Sequence, residues 1–269
     1  MAKKKPLSVE LEPSYFQLQA YWGATKHMGG LKATNELIQL CHITKNKHIL
    51  DIGCGTGITP THIARTHHTT VTALDISPKM ILWTKGKAKK EHIADKVHLI
   101  VADAQNLPFK DAHFDAVVCE SVTVFLQDKQ QGLDEYVRVT KPGGYVGLNE
   151  GTWNKTPPPA ELVKYMAGIF GTEAEFLTSQ EWENLLETSG LRDRTVRTYT
   201  INLPKEFIYG FRQLDLKDFS RALYRFLALY ITSPTFRRTI KERYIRRLPI
   251  KPFIEHLGYG IYIGRKQAA

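Results

Sequence analysis

The stretch HILDIGCGTG, residues 48–57, decides how this chain folds. It runs from a short apolar strand into a turn that has glycine at every second position. Glycine at such positions lets the backbone approach a ligand where a Cβ atom would collide. Asp51 ends the strand and offers a carboxylate to a group that carries hydrogen-bond donors or positive charge. The stretch therefore predicts a site for a nucleotide-like molecule.

The spacing of the glycines separates two classes of cofactor. The dinucleotide fingerprint is G-x-G-x-x-G after a strand. Here the glycines are Gly53, Gly55 and Gly57, and the third dinucleotide position is Ile58. A dinucleotide oxidoreductase is therefore disfavoured, although a glycine turn taken alone is a weak signal.

Three further apolar strands each end in an acidic residue. Asp75 closes the run VTALD and lies 20 residues after Gly55, Asp103 closes VHLIVAD, and Glu120 closes FDAVVCE. In a parallel sheet the carboxyl ends of the strands meet at one edge, and ligands bind in the crevice outside it. We expect the Asp75 carboxylate to accept hydrogen bonds from ribose hydroxyls and Asp103 to accept from an exocyclic purine amine.

Five motifs, taken in order, resemble those of class I S-adenosylmethionine-dependent methyltransferases. They are LDIGCGTG at 50–57, ALDIS at 73–77, ADA at 102–104 with LPF at 107–109, FD at 114–115, and KPGG at 141–144. The resemblance covers about residues 15–203. It is similar in particular to the branch that acts on small molecules and lipids, which includes ubiquinone-type and phosphoethanolamine-type enzymes.

The resemblance implies S-adenosylmethionine as the cofactor and assigns residues to its parts. The methionine portion lies near Asp51 and the turn formed by Gly53, Cys54, Gly55 and Gly57. The ribose hydroxyls lie at Asp75, with Ile76 in the same site, and the adenine at Asp103 and the Ala104 backbone. Glu120 stands beside the reacting centre, at a position where relatives carry varied residues, so no role is carried over to it.

The same resemblance and the strand pattern predict the fold class, α/β. We expect a Rossmann-like, seven-stranded, mostly parallel sheet with helices on both faces and an antiparallel last strand. The predicted strands are 48–52, 71–75, 97–101, 114–119, 143–149, 194–203 and 258–264. Residues 1–13 are predicted to be a basic tail, and residues 14–203 and 251–269 the methyltransferase core.

Residues 204–250 are predicted to be a helical cap inserted between the last two strands. Two helices are expected, over 213–231 and 234–248, with an apolar face on the first that contains Leu216, Phe219, Leu223, Phe226, Leu227 and Tyr230. Such a pair could lie over the carboxyl edge of the sheet and close the substrate pocket. Packing without any contact to substrate is the alternative.

The basic charge of the chain is concentrated in its last third. The chain has a net charge of +10, and residues 191–269 hold 17 Lys and Arg against 6 Asp and Glu. Seven of these bases cluster, namely Arg237, Arg238, Lys241, Arg243, Arg246, Arg247 and Lys251. They could face the headgroups of an anionic membrane or the phosphates of RNA, or form a solvated surface.

The segment YWGATKHMGG, residues 21–30, is predicted to be a lid over the cofactor. It resembles the Gly-Gly segment that precedes the first motif in phosphoethanolamine-type methyltransferases. Tyr21 and His27 are the candidate catalytic residues, because an aromatic ring can lie against a cation and histidine can act as a base near neutral pH. Tyr15 is an equal candidate for a pocket tyrosine. Methyl transfer needs no metal site, and none is predicted.

The sequence thus predicts a methyltransferase that acts on a small-molecule or lipid-like acceptor. An RNA methyltransferase that uses the basic region is the first alternative, and a nucleotide-binding regulatory protein without catalysis is the second. No secretory signal, membrane-spanning run or disulfide pattern is visible among 269 residues with three cysteines. We therefore expect a cytoplasmic protein, with peripheral membrane contact through the basic region as an option.

Overall fold

The structure is a computed structural model, and it describes residues 15–23, 25, 27–170, 174–204, 216–245 and 249–268. For residues 21–22, 216–219, 222 and 243–245 it describes the backbone alone. The predicted basic tail, 1–13, and part of the predicted cap lie outside the described residues.

A single twisted sheet organises the described part of the chain. Its strands are β1 His48–Ile52, β2 Thr70–Asp75, β3 Val97–Val101, β4 Phe114–Glu120, β5 Thr140–Trp153, β6 Leu177–Thr178, β7 Arg192–Thr200 and β8 Leu257–Arg265. The order is β3-β2-β1-β4-β5-β8-β7, and the two-residue β6 pairs with β5. The pairs from β3 to β5 are parallel, whereas β8 runs antiparallel to both β5 and β7. The predicted fold class is confirmed, with β6 as a short addition.

Helices cover both faces of the sheet. They are α1 Tyr15–Trp22, α2 Gly30–Leu40, α3 Ile58–His67, α4 Pro78–Lys90, α5 Lys129–Val139, α6 Ala160–Phe170, α7 Ser179–Thr188, α8 Leu216–Thr232, α9 Pro234–Thr239 and α10 Ile250–His256. A 3-10 turn, Thr123–Phe125, follows β4, and a π-helical segment, Ile240–Ile245, follows α9.

Alternation along the central strands produces two separate cores. On β4, Val117 and Cys119 pack with residues of α5 and α7, while Ala116 and Val118 pack with residues of α2, α3 and α4. Successive side chains of a strand point to opposite faces, so a strand buried on both sides must be apolar throughout. The run FDAVVC therefore forms a central strand whose only polar interior residue, Asp115, lies near its amino end.

The helix after β2, α4, begins at Pro78, and the Ser77 side chain before it does not cap the helix. Its hydroxyl makes no capping hydrogen bond. Instead the Ser77 backbone N–H donates to Asp75 Oδ1 over 2.8 Å. The start of α4 is thus held by the acid at the end of β2.

The predicted apolar face of the first cap helix is only partly buried. Phe226 and Tyr230 of α8 pack in a small core with Leu18 of α1. Leu223 and Leu227, which the prediction put on the same face, are 44% and 47% exposed. The small core shared with α1 therefore covers only part of the predicted apolar face. Among the described residues, no helix is both long and apolar enough to cross a membrane.

Candidate active site

The carboxyl edge of the sheet opens into a cavity of about 570 Å³. Its floor comes from the ends of β1, β2 and β4, and its walls come from α1, the 3-10 turn and segments before β6 and after β7. The flanks of the predicted cap also contribute, through Ile201, Leu203 and Phe253. None of the lining residues belongs to the described range 216–245, so the predicted closure by these two helices stays a prediction.

The glycine turn after β1 is required by packing within the protein. Gly53 and Gly57 have φ values of +70° and +86°, which side chains rarely adopt. A Cβ on Gly53 would lie 2.2 Å from Val122 Cγ2, and one on Gly57 would lie 2.9 Å from the Thr84 Cα. These two positions therefore have no room for a side chain even before a ligand is considered, which extends the reason given by the sequence.

Asp75 connects the loops that follow two neighbouring strands. Its Oδ2 accepts a hydrogen bond from the Gly55 backbone N–H over 2.9 Å, and its Oδ1 accepts from the Ser77 N–H. The side chain is 8% exposed and lines the cavity. Burial raises the pKa of this carboxyl, and the two N–H donors lower it in part. The carboxylate faces the cavity edge where a ribose hydroxyl is expected.

Asp51 has a buried oxygen with no partner among the described residues. The residue is 2% exposed, and its Oδ2 is a buried atom without a hydrogen bond from them. Burial, followed by the nearby carboxylates of Glu120 and Asp75, raises the Asp51 pKa well above its ordinary range. A buried acceptor left unpaired is costly, so this atom calls for a donor from a ligand. The amino group of S-adenosylmethionine would supply such a donor.

The remaining predicted cofactor residues also border the cavity. Ala104 is buried, whereas Asp103 is exposed at the cavity edge and accepts from the Gln105 N–H over 2.9 Å. Ile76 lines the opening and is 71% exposed. Cys54 is buried with its Sγ 3.5 Å from Thr84 Oγ1, and burial raises the pKa of its thiol. Their assigned contacts with the cofactor stay predictions.

Glu120 is held by a set of polar side chains that the sequence did not single out. Its carboxylate accepts from Thr59 Oγ1 at 2.8 Å, from Asn149 Nδ2 at 2.9 Å and from Thr34 Oγ1 at 3.1 Å. His27 Nε2 lies 3.5 Å from Glu120 Oε2. These donors come from α2, α3 and β5, so Glu120 joins three elements at the floor of the cavity.

Thr34 connects His27 to Glu120. Its Oγ1 lies 2.9 Å from His27 Nε2 and 3.1 Å from Glu120 Oε1. When this hydroxyl donates to Glu120 and accepts from Nε2–H, the lone pair of the imidazole is on Nδ1. His27 is 8% exposed and lines the cavity. The arrangement places an imidazole beside a carboxylate in the cavity lining, and these are the groups with which a general base can be built.

Of the two predicted tyrosines, the structure describes the side chain of Tyr15 only. Tyr15 lines the cavity, whereas Tyr21 belongs to α1 by its backbone and its side chain lies outside the described residues. The catalytic assignment of Tyr21 therefore stays a prediction.

Glu150 is a buried acid near the carboxyl end of β5 that the sequence did not single out. It is 0% exposed, and its Oε1 accepts from the backbone N–H of Val122 at 3.0 Å and of Thr123 at 2.7 Å. Its Oε2 is buried without a partner, and burial raises its pKa to about 7. The pattern of strand-end acids extends to β5, where it would have indicated Glu150 and, beside it, Asn149.

Comparisons with known proteins agree with this site. Residues 50–148 match the family model described as a methyltransferase domain. The uncharacterised methyltransferase YodH of Bacillus subtilis is 28% identical over 94% of this chain and 99% of its own length. Norajmaline N-methyltransferase of Rauvolfia serpentina is 35% identical over 45% of the chain, and the chain spans 41% of its length.

A solved structure extends the similarity of fold to nearly the whole chain. Phosphoethanolamine N-methyltransferase 2 of Haemonchus contortus superimposes with a TM-score of 0.71 at 18% identity, over 94% of this chain and 58% of that one. The methyltransferase-domain match, the methyltransferase relatives and the fold support a class I S-adenosylmethionine-dependent methyltransferase. Among these relatives, YodH matches over 94% of this chain. The predicted family and its cofactor, S-adenosylmethionine, are thereby confirmed.

The unpaired oxygen of Asp51 leads to a prediction that separates stability from binding. Its raised pKa means that the carboxylate, charged above its unfolded pKa, lowers the stability of the unliganded protein at neutral pH. We expect Asp51→Asn to keep or raise the unfolding free energy at pH 7 and to weaken S-adenosylmethionine binding about 10-fold to 100-fold, as for a lost charged hydrogen bond. Denaturant unfolding and calorimetry measure the two effects. Asp95→Asn, at an exposed position, is the control, and unchanged cofactor affinity would contradict the assignment.

The raised pKa of Glu150 predicts a pH dependence of stability. The folded state holds this proton up to about pH 7, whereas the unfolded state releases it near pH 4.5. Glu150 therefore lowers the unfolding free energy as pH rises through that window. We expect Glu150→Gln to flatten the decline in denaturant titrations from pH 4.5 to 7.5. Glu135, whose pKa is lowered from 4.5 by Arg138, has lost its proton in both states over most of this window, so Glu135→Gln is the control and should keep the decline. A Glu150→Gln protein that declines as steeply as the control would refute the prediction.

Proposed function

We propose that this protein transfers a methyl group from S-adenosylmethionine to an oxygen or nitrogen atom of a small molecule. The observation that carries the proposal is a cavity lined both by four strand-end acids and by His27, whose ring lies beside one of these acids, Glu120. The names of its relatives include N- and O-methyltransferases, which supports both kinds of acceptor atom.

The acidic end of the cavity would hold the cofactor. When bound, S-adenosylmethionine supplies a methyl group on a positively charged sulfur, already activated for displacement. Asp51 would pair with its amino group, Asp75 would accept from its ribose hydroxyls, and Asp103 and the Ala104 backbone would border its adenine. Glu120 and Asp51 would favour the cationic donor over the uncharged thioether product, because both carboxylates lie in a buried site where charges are weakly screened.

His27 would accept the proton that the acceptor loses. As the acceptor O–H or N–H forms its bond to the methyl carbon, the proton passes to the lone pair on His27 Nδ1. The imidazolium so formed is stabilised by Glu120, at 3.5 Å, and by its Nε2–H bond to Thr34. Thr59 and Asn149 keep the Glu120 carboxylate fixed, so little rearrangement is needed as the charge develops.

Substitution of His27 tests this role. We expect His27→Gln to lower kcat about 10²-fold to 10⁴-fold with an acceptor that must lose a proton, since general bases contribute by such factors. Calorimetry should find S-adenosylmethionine affinity unchanged. His68→Gln, at an exposed position on the same chain, is the matched control. A His27→Gln enzyme with full kcat would exclude the proposed base.

A second role, peripheral contact with an anionic membrane, is supported by the surface of α8. Tyr224 and Ile231 are 74% and 72% exposed, and Arg237 donates to the carbonyl of Ile231. Arg238 and Lys241 are exposed nearby in sequence, whereas Arg246 and Arg247 lie outside the described residues. Apolar side chains flanked by bases suit the interface of an anionic bilayer.

Sedimentation with vesicles tests the membrane role. We expect Ile231→Glu to reduce binding to phosphatidylserine-containing vesicles at least several-fold. The variant replaces an apolar contact with the bilayer by a negative charge that anionic lipids repel. Val101→Glu, on the edge strand β3 and 50% exposed, is the control and should bind as the unmodified protein does. Equal sedimentation of both variants would refute membrane contact through α8. Salt-sensitive retention of RNA by the unmodified protein would instead favour the RNA alternative.

A further inference from the structure

Aromatic rings that contact one another form part of the cavity lining. Tyr15 and Phe170 meet edge to face with centroids 4.8 Å apart, and Phe16 and Phe125 meet in the same way at 4.8 Å. Phe125 and Phe170 lie 5.7 Å apart, and Phe170 and Phe176 lie 6.0 Å apart. We call these five residues the aromatic cage.

The cage is assembled from distant parts of the chain, and all five rings line the cavity. Tyr15 and Phe16 come from α1, Phe125 from the 3-10 turn, and Phe170 from the end of α6. Rings packed edge to face hold each other in place. A wall made in this way is a firm apolar surface rather than a collection of side chains that can each turn away.

Negative charge predominates in the lining of the cavity. Its lining includes the carboxylates of Asp51, Asp75, Asp103 and Glu120, and among the described residues no Lys or Arg lines it. An anion brought into this space would lose its hydration, meet several negative charges and find no Lys or Arg among the described lining residues to pair with. An uncharged apolar body would instead gain by leaving water.

We infer that the aromatic cage is the acceptor subsite and that it takes an uncharged, ring-bearing, largely apolar molecule, with acceptors that carry phosphate or carboxylate excluded. This inference rests on the proposed function and adds the substrate class to it. A nucleophilic hydroxyl or amine on such a body would be directed toward the His27 end of the same cavity. The described lining also offers uncharged polar side chains to the rest of the molecule, among them Gln19 and Gln127.

A matched pair of probes tests the inference. 2-Naphthol and 6-hydroxy-2-naphthoate share the same rings and the same nucleophilic hydroxyl, and differ by one carboxylate. We expect 2-naphthol, measured by its fluorescence in the presence of S-adenosylhomocysteine, to bind at least about 10-fold more tightly, a ratio that corresponds to 1.4 kcal/mol. Equal affinity, or tighter binding of the naphthoate, would overturn the inference.

Variants of Phe16 connect the preference to the cage. Phe16 is 42% exposed, so its replacement is compatible with folding. We expect Phe16→Ala to weaken 2-naphthol binding about 2-fold to 10-fold, as for the loss of an aromatic pair, and Phe16→Arg to shift the preference toward the naphthoate. Tyr224→Ala and Tyr224→Arg make the same changes at an exposed ring outside the cavity lining and should leave both affinities unchanged. Identical probe affinities in the Phe16 and Tyr224 variants would refute the role of the cage.

Cofactor binding is measured in parallel, so that the two proposals can fail separately. If S-adenosylmethionine binds but the naphthoate binds as well as naphthol, the substrate class is wrong and the proposed function stands. If S-adenosylmethionine does not bind to the folded protein, the proposed function is wrong, whatever the probes do.

Discussion

Asp75 accepts backbone hydrogen bonds from Gly55 and Ser77, and the site depends on this pair of contacts. They join the turn after β1 to the start of α4, so the carboxyl ends of two neighbouring strands are held as one unit. The parallel pairing of β1 with β2 and β4 then carries Asp51 and Glu120 to the same edge. Burial at this edge, followed by the nearby carboxylates of Glu120 and Asp75, raises the pKa of Asp51.

The buried carboxylates of Glu120 and Asp51 differ in the hydrogen bonds that they accept. Glu120 receives three hydrogen bonds from neutral side chains and lies beside His27, so its charge is supported from within the protein. Asp51 receives no comparable support at its Oδ2 atom. One buried acid is therefore held in place as part of the scaffold, while the other is left for a donor that the protein does not supply. This division is what a site for a cationic cofactor needs.

The sequence predicted the sheet well because its signals are local. Four apolar runs that end in acids, and a glycine turn with a fixed spacing, determine parallel strands whose ends meet at one edge. It also led to Asp51, Asp75, Asp103 and Glu120, and these four acids do line one cavity. Their individual contacts with the cofactor remain predictions.

The features that the sequence missed depend on contacts between distant segments. Thr34, Thr59 and Asn149 are ordinary polar residues until the fold brings them around Glu120. The aromatic cage joins residues 15 and 176, which no periodicity connects. The amphipathic pattern predicts the helix α8, and the structure has a helix there. The pattern alone does not indicate which side of α8 a neighbouring helix covers.

We expect S-adenosylmethionine to bind at the acidic edge of the sheet. Calorimetric titration of the unmodified protein with S-adenosylmethionine, and in parallel with NAD, tests this binding most directly. We expect one S-adenosylmethionine to bind per chain and no heat of binding for NAD. Binding of NAD in place of S-adenosylmethionine, or no binding of S-adenosylmethionine to the folded protein, would contradict the claim.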